Sequence, residues 1–182
     1  MHIEYEEQVP EDLRESAWAL YNRAFEELRR AAVQRHVMYR EEFDQVMVDP
    51  RVGKYRAMDP VDETVVAGLA TFTNHLLSMP LISPDYFAHR WPDLYAEGRI
   101  WYIGFFAIDP ERRGYGVFES VIAHMWQQVL DSKGLALLDI CRRNDEVGLP
   151  KAIHQVLQSL TPETAATRVD EQTYWLYDPS LS

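Results

Sequence analysis

Ala107–Met125, AIDPERRGYGVFESVIAHM, is the stretch whose reading decides the fold. Ahead of it, Arg99–Asp109 (RIWYIGFFAID) is apolar, aromatic and β-branched, the composition of a central strand. Behind the glycines, Phe118, Val121, Ile122, Met125, Val129 and Leu130 recur at helical spacing. The order is strand, glycine loop, helix. Unpaired amides and the helix dipole converge on whatever sits at such a junction, and an anion suits it. Gly114 and Gly116 let the backbone approach closely or take positive φ, while Arg112 and Arg113 add charge-assisted hydrogen bonds suited to a pyrophosphate. Glycines after a strand also serve merely to turn the chain, so the loop alone does not fix its guest.

Outward from this stretch, Gly104 interrupts the strand and suggests a bulge or a close backbone approach. Upstream, IEYEEQV opens as a short strand. After Pro10, which suits a helix's first turn, Leu13, Ala17, Leu20, Tyr21, Ala24 and Leu28 give a first helix one apolar face to roughly Arg30. A second helix over Tyr39–Val48 ends near Asp49-Pro50; VGKYRAM then reads as a strand, DPVDE as a turn and TVVAGLATFT as another strand. The long connection Asn74–Gly98 is rich in proline and aromatics, and it reads either as a lid or as a surface excursion packing Tyr86, Phe87 and Trp91 on the core. Downstream, Gly134 stops the motif helix, LALLDIC makes a strand, RRND leads to a helix around Lys151–Leu160 that Pro150 can open, and TRVDEQTYWLYDP offers a last strand or hairpin.

The 182 residues are 47% hydrophobic, enough for one compact domain over 1–182. A formal charge of -11 argues against a nucleic-acid surface and is compatible with a cationic substrate, although acidity also serves solubility. No apolar run approaches the ~20 residues of a membrane span, and the acidic start MHIEYEEQVPED is unlike a signal peptide. The single Cys141 forms no intrachain disulfide and fits a reducing compartment, the cytoplasm, and it reads as core and not as a nucleophile. His2, His36, His75, His89, His124 and His154 show no ligand spacing, so no metal is expected.

Neither GxxxxGK[ST] nor GxGxxG after a first strand is present. What Ile108-Asp109-Pro110 followed by Arg113-Gly114-Tyr115-Gly116 resembles is motif A of the GNAT superfamily of acyl-coenzyme A-dependent N-acyltransferases. The resemblance extends to the element order of nearly the whole chain, with specific motif content over Tyr102–Met125. It implies an α/β (α+β) fold with a mixed, mostly antiparallel sheet of about six or seven strands flanked by about four helices. It further implies acetyl-coenzyme A as cofactor. By the same resemblance the pantetheine would pair with the motif strand through Phe106 and Ile108, with Ala107 between them, and the pyrophosphate would be cradled by Arg113, Gly114, Tyr115, Gly116, Val117 and Phe118. Asn144 resembles the family's asparagine that meets the cofactor, and a turn-forming role explains it equally well. The family pattern has a small residue where this chain has Phe118. Either its ring points into the core and leaves an amide contact intact, or its bulk crowds the phosphate.

The chemistry implied is direct attack of a neutral amine on a thioester. The family's usual glutamate base is missing from Tyr102-Ile103-Gly104-Phe105, and its usual tyrosine acid is missing from KAIHQVLQSL. His154 and Tyr174 (with Tyr177) are the candidate acids and His75 a candidate base, each with a structural or solvated role as the competing reading. Three functions stay open: an N-acetyltransferase acting on a small-molecule or protein amine, an acyl-coenzyme A binder without catalysis, and an interaction domain that has lost the cofactor. No nucleic-acid or membrane partner is expected, and a homodimer is compatible with the sequence.

Overall fold

The computed structural model describes residues 1–33, 35, 37–59, 61–62, 65–79 and 81–179. Pro60 and Glu63 of the expected DPVDE turn, Thr64 at the head of the next expected strand, Pro80 and His36 lie outside them. The order is β1 (Ile3–Glu6), α1 (Glu11–Phe25), α2 (Leu28–Ala31), α3 (Arg40–Val48), β2 (Gly53–Met58) and β3 (Val66–Thr73). It continues with α4 (Pro84–Arg90), α5 (Pro92–Ala96), β4 (Ile100–Ile108), α6 (Val117–Ser132), β5 (Leu135–Leu138), α7 (Arg142–Glu146) and α8 (Leu149–Leu160).

The sheet runs β1-β2-β3-β4-β5, antiparallel except for the parallel β4–β5 pair. It has five strands among the described residues, not six or seven. The missing members are the expected C-terminal hairpin: Thr161–Pro179 forms no strand, and Trp175, Leu176 and Tyr177 are 77–85% exposed. Alternating aromatics mimic a strand, but without a partner ladder they do not make one. Among the described residues four helices have nine or more residues, α1, α3, α6 and α8, and the other four are short.

The first face of the sheet is packed by α1 and α3. Tyr21 meets Phe43, Phe25 and Phe105 with ring centroids 4.8–5.1 Å apart, and its hydroxyl accepts from the Met38 amide at 2.9 Å. The opposite face carries α6, whose Val117, Val121, Ile122, Met125 and Val129 pack on Tyr55, Ala57, Ala67, Ala70 and Phe72, with Ile153, Val156 and Leu157 of α8 alongside. The connection after β3 packs on the sheet through part of its aromatics. Prolines start α4 and α5, and Leu76, Phe87 and half-buried Trp91 pack on Ile100 and Tyr102 of β4. Its ends are tied by the Asn74 amide donating to the Gly98 carbonyl at 2.8 Å. At the end of α6 it is Lys133, not Gly134, that takes the left-handed conformation, at φ 50°. Gly134 is needed for another reason: a Cβ there would lie 2.1 Å from the Arg99 carbonyl oxygen.

Lys54 of β2 is fully buried, its Nζ donating to the Glu7 and Asp49 carbonyls at 2.7 Å each. Burial depresses its ionisation from 10.5 to about 8, against the pull of Asp49, Glu6 and Glu7. Between those two values the unfolded chain binds more protons than the folded one, so the contribution of Lys54 to stability rises with pH there. Thermal denaturation of wild type and Lys54→Met is expected to show the wild type gaining on the variant from about pH 8 to 10.5, by about 3 kcal/mol at most. A constant gap across that window would remove the depressed ionisation from the account.

Candidate active site

The site grows from one extra residue in β4. Thr71 pairs with Phe105 and Phe72 with Ile103, so Gly104 is left over as a bulge. The sequence signal at Gly104 is thus a real irregularity. A Cβ there would lie 2.7 Å from Thr71 Oγ1, which already accepts from the Phe105 amide at 3.1 Å. The β4–β5 pairing ends at Ile103↔Leu138, beside the bulge, and beyond it the two parallel strands separate.

This separation leaves one edge of Phe105–Ile108 unpaired among the described residues. The Asp109 amide bonds the Ala67 carbonyl at 2.9 Å and Phe105 faces Thr71, so by alternation Phe105, Ala107 and Asp109 point toward β3. Phe106 and Ile108 therefore turn their N–H and C=O groups to the open edge, and Ala107 lies between them facing β3. An extended polar ligand could add there as a strand.

At the end of that edge Asp109 closes the turn. Its carboxylate accepts from the Glu111 amide at 3.0 Å and from Arg23 at 2.7 Å. Partial burial raises its pKa, but these two donors outweigh that effect and hold it below the ordinary carboxylate value. Arg112 is ion-paired with the buried Asp59, which also accepts the Val61 and Asp62 amides, so Arg112 is not the free phosphate ligand the sequence suggested. Arg113 is exposed and has no ion-pair partner among the described residues. Gly114 and Gly116 take φ of 87° and 77°, with nothing within 4 Å of where their Cβ atoms would be. Tyr115 between them is exposed. Gly116 caps α6 without a side-chain acceptor, so the Val117, Phe118 and Glu119 amides have no intrahelical partner. Phe118 turns its ring to the sheet and meets Phe106 edge-on at 5.4 Å.

On the α1 face of the sheet, two shallow hollows of about 530 and 270 Å³ flank the end of α1, lined by Glu26, Glu27, Arg30 and Arg143, and by Asn22, Arg23, Glu26 and Arg29. Arg143, just beyond β5, pairs with Glu27 at 2.8 Å and so spans from the β5 side to the end of α1, the helix packed on Phe105. On the same face the Tyr102 hydroxyl donates to Asp139 at 2.5 Å. Burial and the neighbouring carboxylate push the phenol's ionisation well up, so it remains a donor.

The structure does not gather His154, His75 and Tyr174 at one point. His154 lies on α8, on the α6 side of the sheet, its Nε2 2.8 Å from the Thr164 carbonyl oxygen. His75 is exposed beyond Thr73, whose pairing with Tyr102 puts it toward the sheet end opposite the glycine loop. Tyr174 is 51% exposed in the strandless tail. Asn144 is half-buried in the first turn of α7, its amide bonded to the Cys141 carbonyl at 3.0 Å, and Cys141 is buried. No cluster of three or more metal-ligating side chains occurs among the described residues, and no helix there is long and apolar enough to cross a membrane.

No family model and no curated protein matches this chain. Solved structures match over nearly its whole length. A probable acetyltransferase superposes with a TM-score of 0.56 at 12% identity, covering 98% of this chain and 99% of its own. Ribosomal-protein-alanine N-acetyltransferase from Brucella melitensis biovar Abortus 2308 gives 0.53 at 10%, covering 98% and 100%. The aminoglycoside acetyltransferase meta-AAC0020 from an uncultured soil metagenomic sample, in complex with trehalose, gives 0.52 at 14%, covering 96% and 97%. At these identities the likeness is one of fold.

Proposed function

We propose that this chain, which has the GNAT fold of those acetyltransferases, transfers an acetyl group from acetyl-coenzyme A to a primary amine, small or protein-borne. The observation that carries the reading is the unpaired edge of β4 running from the Gly104 bulge into an open, positive-φ glycine loop at a helix start. The pantetheine amides would pair with Phe106 and Ile108 past Ala107. The Tyr115, Gly116, Val117 and Phe118 amides, with Gly114 supplying the turn, would hold the pyrophosphate, Arg113 would add charge from outside, and Asn144 would face the cofactor from α7. Bound acetyl-coenzyme A supplies a thioester activated toward amines. The chain positions it, and holding two reactants in register is a large part of such catalysis.

The lone buried cysteine accords with a reducing, cytoplasmic setting. Binding without turnover is the second reading, favoured by Tyr102-Ile103-Gly104-Phe105 holding no carboxylate where the resembled family usually has a glutamate.

Calorimetric titration of the dialysed protein with acetyl-coenzyme A and with free coenzyme A tests the assignment. A micromolar or tighter dissociation constant for both is expected, followed by thiol release in the presence of a panel of primary amines. Absence of heat from folded, ligand-free protein would overturn it.

A further inference from the structure

We propose that Asp139, held by Tyr102, is the group that takes the proton from the incoming amine; this rests on the acyl-transfer reading above. Asp139 follows Leu138, the last residue of β5 paired to β4, and Tyr102 stands two residues before the Gly104 bulge. Their hydrogen bond therefore sits where the two strands begin to part. Alternation puts Tyr102 and Asp139 on one face of the sheet with Ile100, Leu135 and Leu137, and the extra residue at Gly104 returns Phe105 to that same face. It is the face of α1 and of the hollows beside Glu26 and Glu27. In this scheme an amine approaches the parting of β4 and β5 from that face, where Asp139 lies, whereas His154 lies on the opposite face and Tyr174 in the tail.

Tyr102 is buried and stays protonated, so it donates to one carboxylate oxygen and fixes the side chain. Asp139 itself is solvent-exposed, which leaves it a route to return the proton to water. The step balances simply. The ammonium gives one proton to the Asp139 carboxylate and its nitrogen lone pair forms the bond to the thioester carbonyl carbon. The C–S bond breaks with its electrons on sulfur, and the nitrogen's second proton ends on that sulfur. Asp139 then releases its proton to solvent. Asp139 is the catalytic residue in this scheme and Tyr102 a positioning residue.

The test compares wild type, Asp139→Asn and Tyr102→Phe with two acceptors: the best primary amine of the panel, and hydroxylamine, which is already unprotonated at neutral pH and needs no base to become a nucleophile. Asp139→Asn is expected to lose about 10²–10⁴-fold in kcat/KM with the amine, to keep its rate with hydroxylamine within about threefold of wild type, and to bind acetyl-coenzyme A unchanged. Tyr102→Phe should lose about tenfold with the amine only. A readout that needs no ligand is the Tyr102 Cζ resonance of [¹³C]tyrosine-labelled protein, which should move on Asp139→Asn. Equal losses with both acceptors, no loss with either, or an unmoved Tyr102 resonance would each overturn the proposal. Failure of the wild type to bind acetyl-coenzyme A would instead sink the acyl-transfer reading, and this assignment with it.

Discussion

Gly116→Trp is expected to abolish acetyl-coenzyme A binding in a protein that still folds. Gly116 sits at φ 77° at the mouth of α6 with open space where its Cβ would be, so an indole there fills the volume a pyrophosphate needs. At least two amide hydrogen bonds to a charged group would be lost at about 1.5–3 kcal/mol each, a weakening of a hundredfold or more on the affinity scale. The left-handed backbone costs a side chain about 1–2 kcal/mol, which lowers the melting temperature by only a few degrees in a chain of this size. Titration calorimetry alongside circular dichroism separates the two effects. Phe118→Ala is the internal contrast: its ring lies against Phe106, so affinity should hold within about threefold while stability falls by about 2 kcal/mol. Unchanged affinity in Gly116→Trp would place the pyrophosphate elsewhere.

The second large effect is expected from Gly104→Val. A Cβ at this position meets Thr71 Oγ1 at 2.7 Å and Met79 Sδ at 3.4 Å. Thr71 would have to turn away and give up the Phe105 amide. Overpacking and an orphaned buried donor together cost about 2–5 kcal/mol, or roughly 5–20 °C of melting temperature. If the strand relieves this by straightening, its register beyond the bulge shifts by one residue. Phe106 and Ile108 then exchange edges with Phe105 and Ala107. Acetyl-coenzyme A affinity should fall at least tenfold as well. A stability loss with affinity intact would show that the bulge supports the sheet but not the ligand edge.

Much of this architecture was legible in order along the chain. Strand, glycine loop and helix are contiguous from Arg99 to Leu130, and the break at Gly104 declares itself as a glycine in an otherwise apolar run. What stayed hidden is what the fold brings together. Tyr102 and Asp139 are 37 residues apart, and Arg112 finds Asp59 across 53, so no local pattern predicts either pair. The tail erred in the other direction. Tyr174–Tyr177 has a strand's composition, but strand formation depends on a partner ladder that local composition does not provide. At the end of α6 the glycine marked the right place for a different reason, since Lys133 makes the turn and Gly134 clears the Arg99 carbonyl.

The open edge of β4 also bears on how far such a chain can drift. In the proposed binding mode its recognition groups would be main-chain amides and carbonyls, and the loop beside it would work through the absence of side chains at 114 and 116. Such a cleft constrains backbone path and the room around it far more than it constrains letters. Phe106 and Phe118 are free to be a pair of packed rings so long as their peptide groups stay where they are. A lineage under that kind of constraint can replace nearly all its residues and keep its architecture. Superposition over almost the full length at 10–14% identity shows one fold carried by largely different residues.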